Sequence, residues 1–260
     1  MAMNPEYRRI LARMDYYNYQ EGLLSRHCNQ DGRWDDHNSR AREYVLKAVE
    51  RLSPGIVTVL GSGWLLEFPL VEILEKNIRI NLVDIVHPPE VIKQVAQFDN
   101  VKIIEADISG GIITAVWKEI NNAPLFKRMK DLDNIHVSEP VLGFEPGLVV
   151  SLNLVTQLEI LPVRLLERKA RIPVESIKSF RRELQLKHIN FLKKFNSVLI
   201  TDKEEIIKAN DGSISVIPTL LPEVIPGKYH EEWTWDFDLK GTDNYTSSSV
   251  MRVIAETFEP

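Results

Sequence analysis

Apolar positions along the chain change period several times, and those changes mark its elements. Ile10, Leu11, Met14 and Tyr17 recur at helical spacing, and Ala41, Tyr44, Val45, Ala48, Val49 and Leu52 repeat the pattern. Residues 25–42, between them, are densely polar and read as a loop. Ser53-Pro54-Gly55 then breaks the chain, and short β-rich runs begin to alternate with helical patterns. Strands are predicted at 56–61, 80–85, 101–107, 148–154 and 197–202. Helices are predicted at 69–76, from Pro88-Pro89 onward, at 112–120, and through 156–195 with a break at Pro173. Residues 121–147 read as irregular. The strands are apolar on both faces, as in a parallel sheet covered by helices on each side. After Pro218, Pro222 and Pro226, alternating runs at 231–239 and 249–258 flank a polar turn at 241–248 and predict an antiparallel hairpin. The expected fold class is α/β: a doubly wound, mostly parallel Rossmann-like sheet with a C-terminal antiparallel hairpin. Residues 1–54 form an N-terminal helical extension and residues 55–260 the main domain.

In such sheets ligands bind outside the carboxyl ends of the strands, so the residues just past each strand carry the candidate chemistry. Gly61-Ser62-Gly63-Trp64 follows the first strand, where glycine permits a tight turn and close approach of a ligand to the backbone. As a dinucleotide fingerprint this is incomplete, because Leu66 stands in place of the third glycine. Asp84 ends the second strand, 21 residues after Gly63, and suits the two hydroxyls of a ribose. Asp107 ends the third strand, where a carboxylate accepts from a donor such as the exocyclic amine of adenine. The alternative for each acid is a helix cap. Together with the glycine turn, the pair points to nucleoside binding.

The order glycine turn, Asp84, Asp107, then LVVSLNLVTQL and a terminal hairpin resembles the class I S-adenosylmethionine-dependent methyltransferases over about residues 55–258. Within that family the chain is most similar to an uncharacterised bacterial branch with a similar arginine-tryptophan-histidine loop before the glycines. The resemblance implies a methyltransferase sheet and S-adenosyl-L-methionine as cofactor. By that likeness the backbone of Gly61, Ser62 and Gly63 faces the methionine part, Asp84 holds the ribose, and Asp107 with Ile108 borders the adenine. Asn153 to Gln157 form the wall between cofactor and acceptor. The chain departs from the family pattern at Val59, where an acid often precedes the glycines, and at Leu65, where a third glycine often stands. Pro69 delays the following helix, so the turn is expected to be longer or differently shaped.

Methyl transfer needs no protein nucleophile, because the sulfonium is already activated; alignment dominates, and a base helps only where the acceptor is protonated. His37 and Arg33 are the leading candidates on the substrate side. They sit in a cluster with Trp34, Arg40 and Arg42 that either clamps an anionic substrate, as a lid over the sheet, or is a solvated loop whose arginines pair with Asp31, Asp35 and Asp36. His188 lies within the apolar stripe of Ile177, Phe180, Leu184, Phe191 and Phe195, where a buried structural histidine is favoured over a catalytic one. His136 reads as an exposed loop histidine. Trp233 and Trp235 share a strand face, and packing is favoured over pocket lining. The spacing of His27, Cys28 and His37 matches no standard metal site, and no metal is expected.

Composition narrows the classes. The chain has 260 residues, 44% hydrophobic and 27% charged, with a net charge of -5. That balance argues against wholesale coating of nucleic acid. From Arg164 to Lys194, however, ten basic residues face three acidic ones. Nucleic acid is therefore a possible partner but not the favoured one. A single cysteine rules out an intramolecular disulfide. No apolar run approaches the roughly 20 residues of a membrane span, and the N-terminus has no signal-peptide core; a cytoplasmic setting is expected. The function expected is methylation of a small or medium-sized acceptor. The rivals are a non-catalytic protein of this fold that binds a nucleoside or protein partner, an NAD-dependent oxidoreductase with a modified fingerprint, and a nucleic acid methyltransferase. Nothing in the sequence fixes the oligomeric state.

Overall fold

Local signals set most element boundaries in the computed structural model, which describes residues 4–122, 128–241 and 247–260. Helix α1 (Pro5–Arg13) starts with proline in its first turn, and the Asn4 side chain accepts from the Glu6 amide at 2.9 Å. Helices α2 (Tyr16–Asn29) and α3 (Asp35–Leu52) follow. Residues 25–42, expected as a loop, are thus mostly helical. The apolar face of α3 reaches back to His37, four residues before Ala41, and Asp35 and Asp36 complement the positive end of the helix.

The alternating part contains β1 (Ile56–Leu60), α4 (Leu70–Leu74), β2 (Arg79–Asp84), α5 (Pro89–Val95), β3 (Val101–Glu105), α6 (Ile112–Asn122) and β4 (Leu148–Leu152). It continues through α7 (Ile160–Lys169), α8 (Val174–Leu192) and β5 (Ser197–Ala209). Pro173 immediately precedes α8, as its break in the helical pattern predicts. Two strands were not legible in full. β5 runs seven residues past its predicted end, through a polar stretch with an irregularity at Asp202/Glu204. It turns at Asn210-Asp211-Gly212 into β6 (Ile214–Pro218), which the sequence reading missed. The terminal hairpin is β7 (Tyr229–Asp238) and β8 (Ser247–Phe258); most of its predicted polar turn lies outside the described residues, as do residues 123–127 of the irregular stretch.

The eight strands form one sheet in the order β3-β2-β1-β4-β5-β8-β7, with β6 paired to β5. β1 to β5 are parallel, and β6, β7 and β8 are antiparallel additions. This is a Rossmann-like sheet, mostly parallel in its body and antiparallel at its C-terminal edge. Side-chain alternation splits the core in two. Val57, Val59, Ile80, Leu82, Leu148 and Val150 pack beneath α3, α4 and α5, while Leu60, Val83, Val149 and Leu199 pack against α1, α6, α7 and α8. The strand order reverses between β1 and β4, which opens a crevice at their carboxyl ends. No helix among the described residues is long and apolar enough to cross a membrane.

Candidate functional site

β1 ends in a turn that only flexible backbone can make. Gly61 and Gly63 have φ of 71° and 44°, and a Cβ at Gly61 would lie 3.1 Å from the Leu154 side chain. The Gly63 amide donates to Asp84 Oδ2 at 2.8 Å, and the Ile85 and Val86 amides donate to Oδ1 at 2.7 and 3.4 Å. Asp84 therefore clasps the turn after β1 to the loop after β2. An ionised carboxylate has about four acceptor positions, so these three bonds leave one for a ligand hydroxyl. Burial pushes the Asp84 carboxyl upward, against the downward pull of His87 and the three amides. At the end of β3, Asp107 Oδ1 accepts from the Ser109 amide and hydroxyl at 2.8 and 2.5 Å. Tyr7 and Tyr16 stand beside it, and burial followed by the Asp107 charge raises both phenols.

These strand ends open onto one cavity of about 410 Å³, within the usual range of small-molecule sites. Gly61, Ser62, Gly63, Asp84, Asp107, Ile108, Asn153 and Gln157 all line it. So does α2, through Tyr16, Tyr19, Gln20, Leu23 and Arg26. That helix is held over the glycine turn by Trp64, whose Nε1 donates to the Gln20 carbonyl at 2.8 Å, and by Gln20, whose Nε2 reaches the Val86 carbonyl at 3.5 Å. Trp34, Trp235, Phe237 and Met251 also line the cavity, and its charged groups include Arg164, Arg181, Asp202 and Glu205.

The candidate catalytic residues His37, Arg33 and His188 do not line this cavity. Arg33 is exposed, as are Arg40 and Arg42, and Arg40 pairs with Asp36 on its own helix. His188 is 1% exposed, with Nε2 at 3.0 Å from Ser151 Oγ, and burial alone drives its imidazole down to about 4. His37 is also 1% exposed and does not line the cavity. Its Nδ1 accepts from Trp233 Nε1 at 3.0 Å, and the indole can only donate. The imidazole proton is thereby assigned to Nε2, which lies 3.3 Å from Glu67 Oε1 and 3.1 Å from Asn153 Nδ2; of the two, only the carboxylate oxygen can accept it. His37 has no lone pair free to act as a base. Asn153, held at φ 44° just past β4, donates to the same Glu67 oxygen at 2.9 Å. The His37 ring stacks on Trp235 with centroids 4.0 Å apart, so Trp233 and Trp235 flank the histidine and only Trp235 reaches the cavity. His136 is exposed and does not line the cavity.

Glu67 is the residue that the sequence reading missed. It belongs to the long connection that Pro69 imposes before α4, and it lines the cavity beside Asn153. Glu159, also not singled out from the sequence, is buried and lies outside the cavity lining. It accepts from Arg181 and Gln185 at 3.2 and 2.9 Å, and burial, against the pull of Arg181, raises its carboxyl to about 7.

No protein-family model matches the chain, and no curated protein matches it. Among solved structures it is similar to 1,6-didemethyltoxoflavin-N1-methyltransferase of Burkholderia thailandensis, with bound 1,6-didemethyltoxoflavin and S-adenosylhomocysteine. The identity is 12% over 100% of this chain and 92% of that one, at a TM-score of 0.43. It is also similar to the DhpI–SAH complex, at 11% identity over 93% of this chain and 96% of that one, with a TM-score of 0.30.

Proposed function

We propose that the chain is an S-adenosylmethionine-dependent methyltransferase acting on a small or medium-sized acceptor. One observation carries the reading. Eight residues named from the sequence, drawn from the ends of four different strands, line a single cavity at the switch point of the sheet. Asp107, Asp84, the glycine turn and Asn153 follow one another in the spatial order β3-β2-β1-β4. At about 4.8 Å between strands that row covers about 14 Å. A ligand made of base, sugar and amino-acid tail in line matches such a row, with the adenine at Asp107 and Ile108, the ribose at Asp84, and the tail over Gly61 to Gly63. When bound, S-adenosylmethionine supplies an activated methyl group. The protein's part is then to position and to exclude water. Asp84 orients the sugar through its remaining acceptor position, α2 roofs the cavity, and Trp34, Trp235 and Phe237 offer flat apolar surface to the acceptor. The antiparallel β8 beside β5 speaks against the NAD-binding arrangement, which normally continues with a parallel strand.

The test is calorimetric titration with S-adenosylhomocysteine and, separately, NADH. Micromolar binding of the first alone is expected, weakened about tenfold or more by Asp84→Ala. Binding of NADH but not S-adenosylhomocysteine would overturn the reading.

A further inference from the structure

The cavity wall contains a carboxylate held by hydrogen bonds. Glu67 Oε1 accepts from His37 Nε2 at 3.3 Å and from Asn153 Nδ2 at 2.9 Å. Its side chain is 16% exposed and turns to the cavity. Among the described residues, His37 is the one basic group within 4.0 Å of it. The Trp233 indole N–H donates to Nδ1 at 3.0 Å, so His37 meets Glu67 through its other ring nitrogen. Glu67 is therefore a partly buried carboxylate held by two hydrogen-bonding side chains, with no Lys or Arg within 4.0 Å among the described residues. Such a group is costly unless a cation arrives to meet it.

The other acids around the cavity are differently engaged. Asp84 takes three backbone amides, Asp107 takes Ser109, and Asp202 takes the Thr156 hydroxyl at 2.6 Å. Glu205 lies on β5, beyond the row of strand ends from β3 to β4. Glu67 instead touches Asn153, at the β4 end of that row and next to the strand carrying the glycine turn.

We infer that Glu67 is an ammonium-binding residue, positioned by His37 and Asn153, and that its ligand is the α-ammonium of the cofactor's amino-acid tail. This rests on the methyltransferase reading above. His37 is then a positioning residue that works through Glu67.

The experiment compares two ligands on two proteins. S-adenosylhomocysteine has the amino-acid tail, and 5′-methylthioadenosine has the same base, sugar and sulfur without it. Calorimetry on the full chain is expected to show Glu67→Gln weakening S-adenosylhomocysteine about 10- to 100-fold while leaving 5′-methylthioadenosine unchanged. Retained 5′-methylthioadenosine binding also reports that the variant is folded. Equal weakening of both ligands, or of neither, overturns the assignment while the methyltransferase reading stands. Failure of the unmodified protein to bind either ligand overturns both together.

Discussion

Trp233 donates to His37 Nδ1 from a strand 196 positions away, and phenylalanine there would keep a ring but withdraw the donor. The buried imidazole nitrogen would be left without a partner, so Trp233→Phe is expected to lower the free energy of unfolding by about 1–3 kcal/mol in urea titration. Residues at strand ends were legible in the sequence because a parallel sheet fixes where ligands approach, whatever the side chains elsewhere do. Glu67 was not, since its partners lie 30 and 86 positions away and a lone acid in a loop has no periodicity. One signal was available for His37. It precedes Ala41 by four and Tyr44 by seven, which places it on the buried face of a helix, and polar composition masked that spacing.

Helix α2 has no fully buried residue, and its hold on the glycine turn runs through Trp64 and Gln20. An element with so little buried surface opens locally at low cost. Its amides are therefore expected to exchange with solvent faster than those of α3, and to slow when S-adenosylhomocysteine binds. Mass spectrometry of deuterium uptake checks both, and Trp64→Phe should raise the uptake of α2 in the free protein. The glycine turn beneath is less forgiving. Gly61→Ala puts a methyl against Leu154 in a left-handed conformation, and is expected to weaken S-adenosylhomocysteine binding in the same calorimetric assay. Elements with strong periodicity or proline punctuation, such as α1, α5 and α8, were legible. β6 was not, because its apolar side chains are exposed and no alternation marks a buried face, although Asn210-Asp211-Gly212 is a hairpin signal.

Across the whole molecule two buried groups give the pH profile opposing slopes. His188, lowered to about 4 by burial, binds fewer protons folded than unfolded between there and its ordinary value near 6.5. Its contribution is complete above that window and is lost as pH falls through it. Glu159, raised from 4.5 to about 7, binds more protons folded than unfolded; its contribution is present below 4.5 and is lost as pH rises toward 7. Each shift corresponds to roughly 3 kcal/mol, so the two largely offset in the unmodified chain. Relative to it, Glu159→Gln should gain stability from pH 5 to 7 and His188→Gln should lose it, as chemical denaturation at the two values would register. The doubly wound body and terminal hairpin were legible because runs apolar on both faces and alternating runs bury different amounts of strand. The extension of β5 was not, since pairing with β6 and β8 holds it despite its polar sequence. The chain's one cysteine, Cys28, is exposed near the end of α2, on the helix that roofs the cavity. A fluorophore or spin label attached to that thiol would track opening and closing of the roof in real time, in a protein carrying no engineered residue.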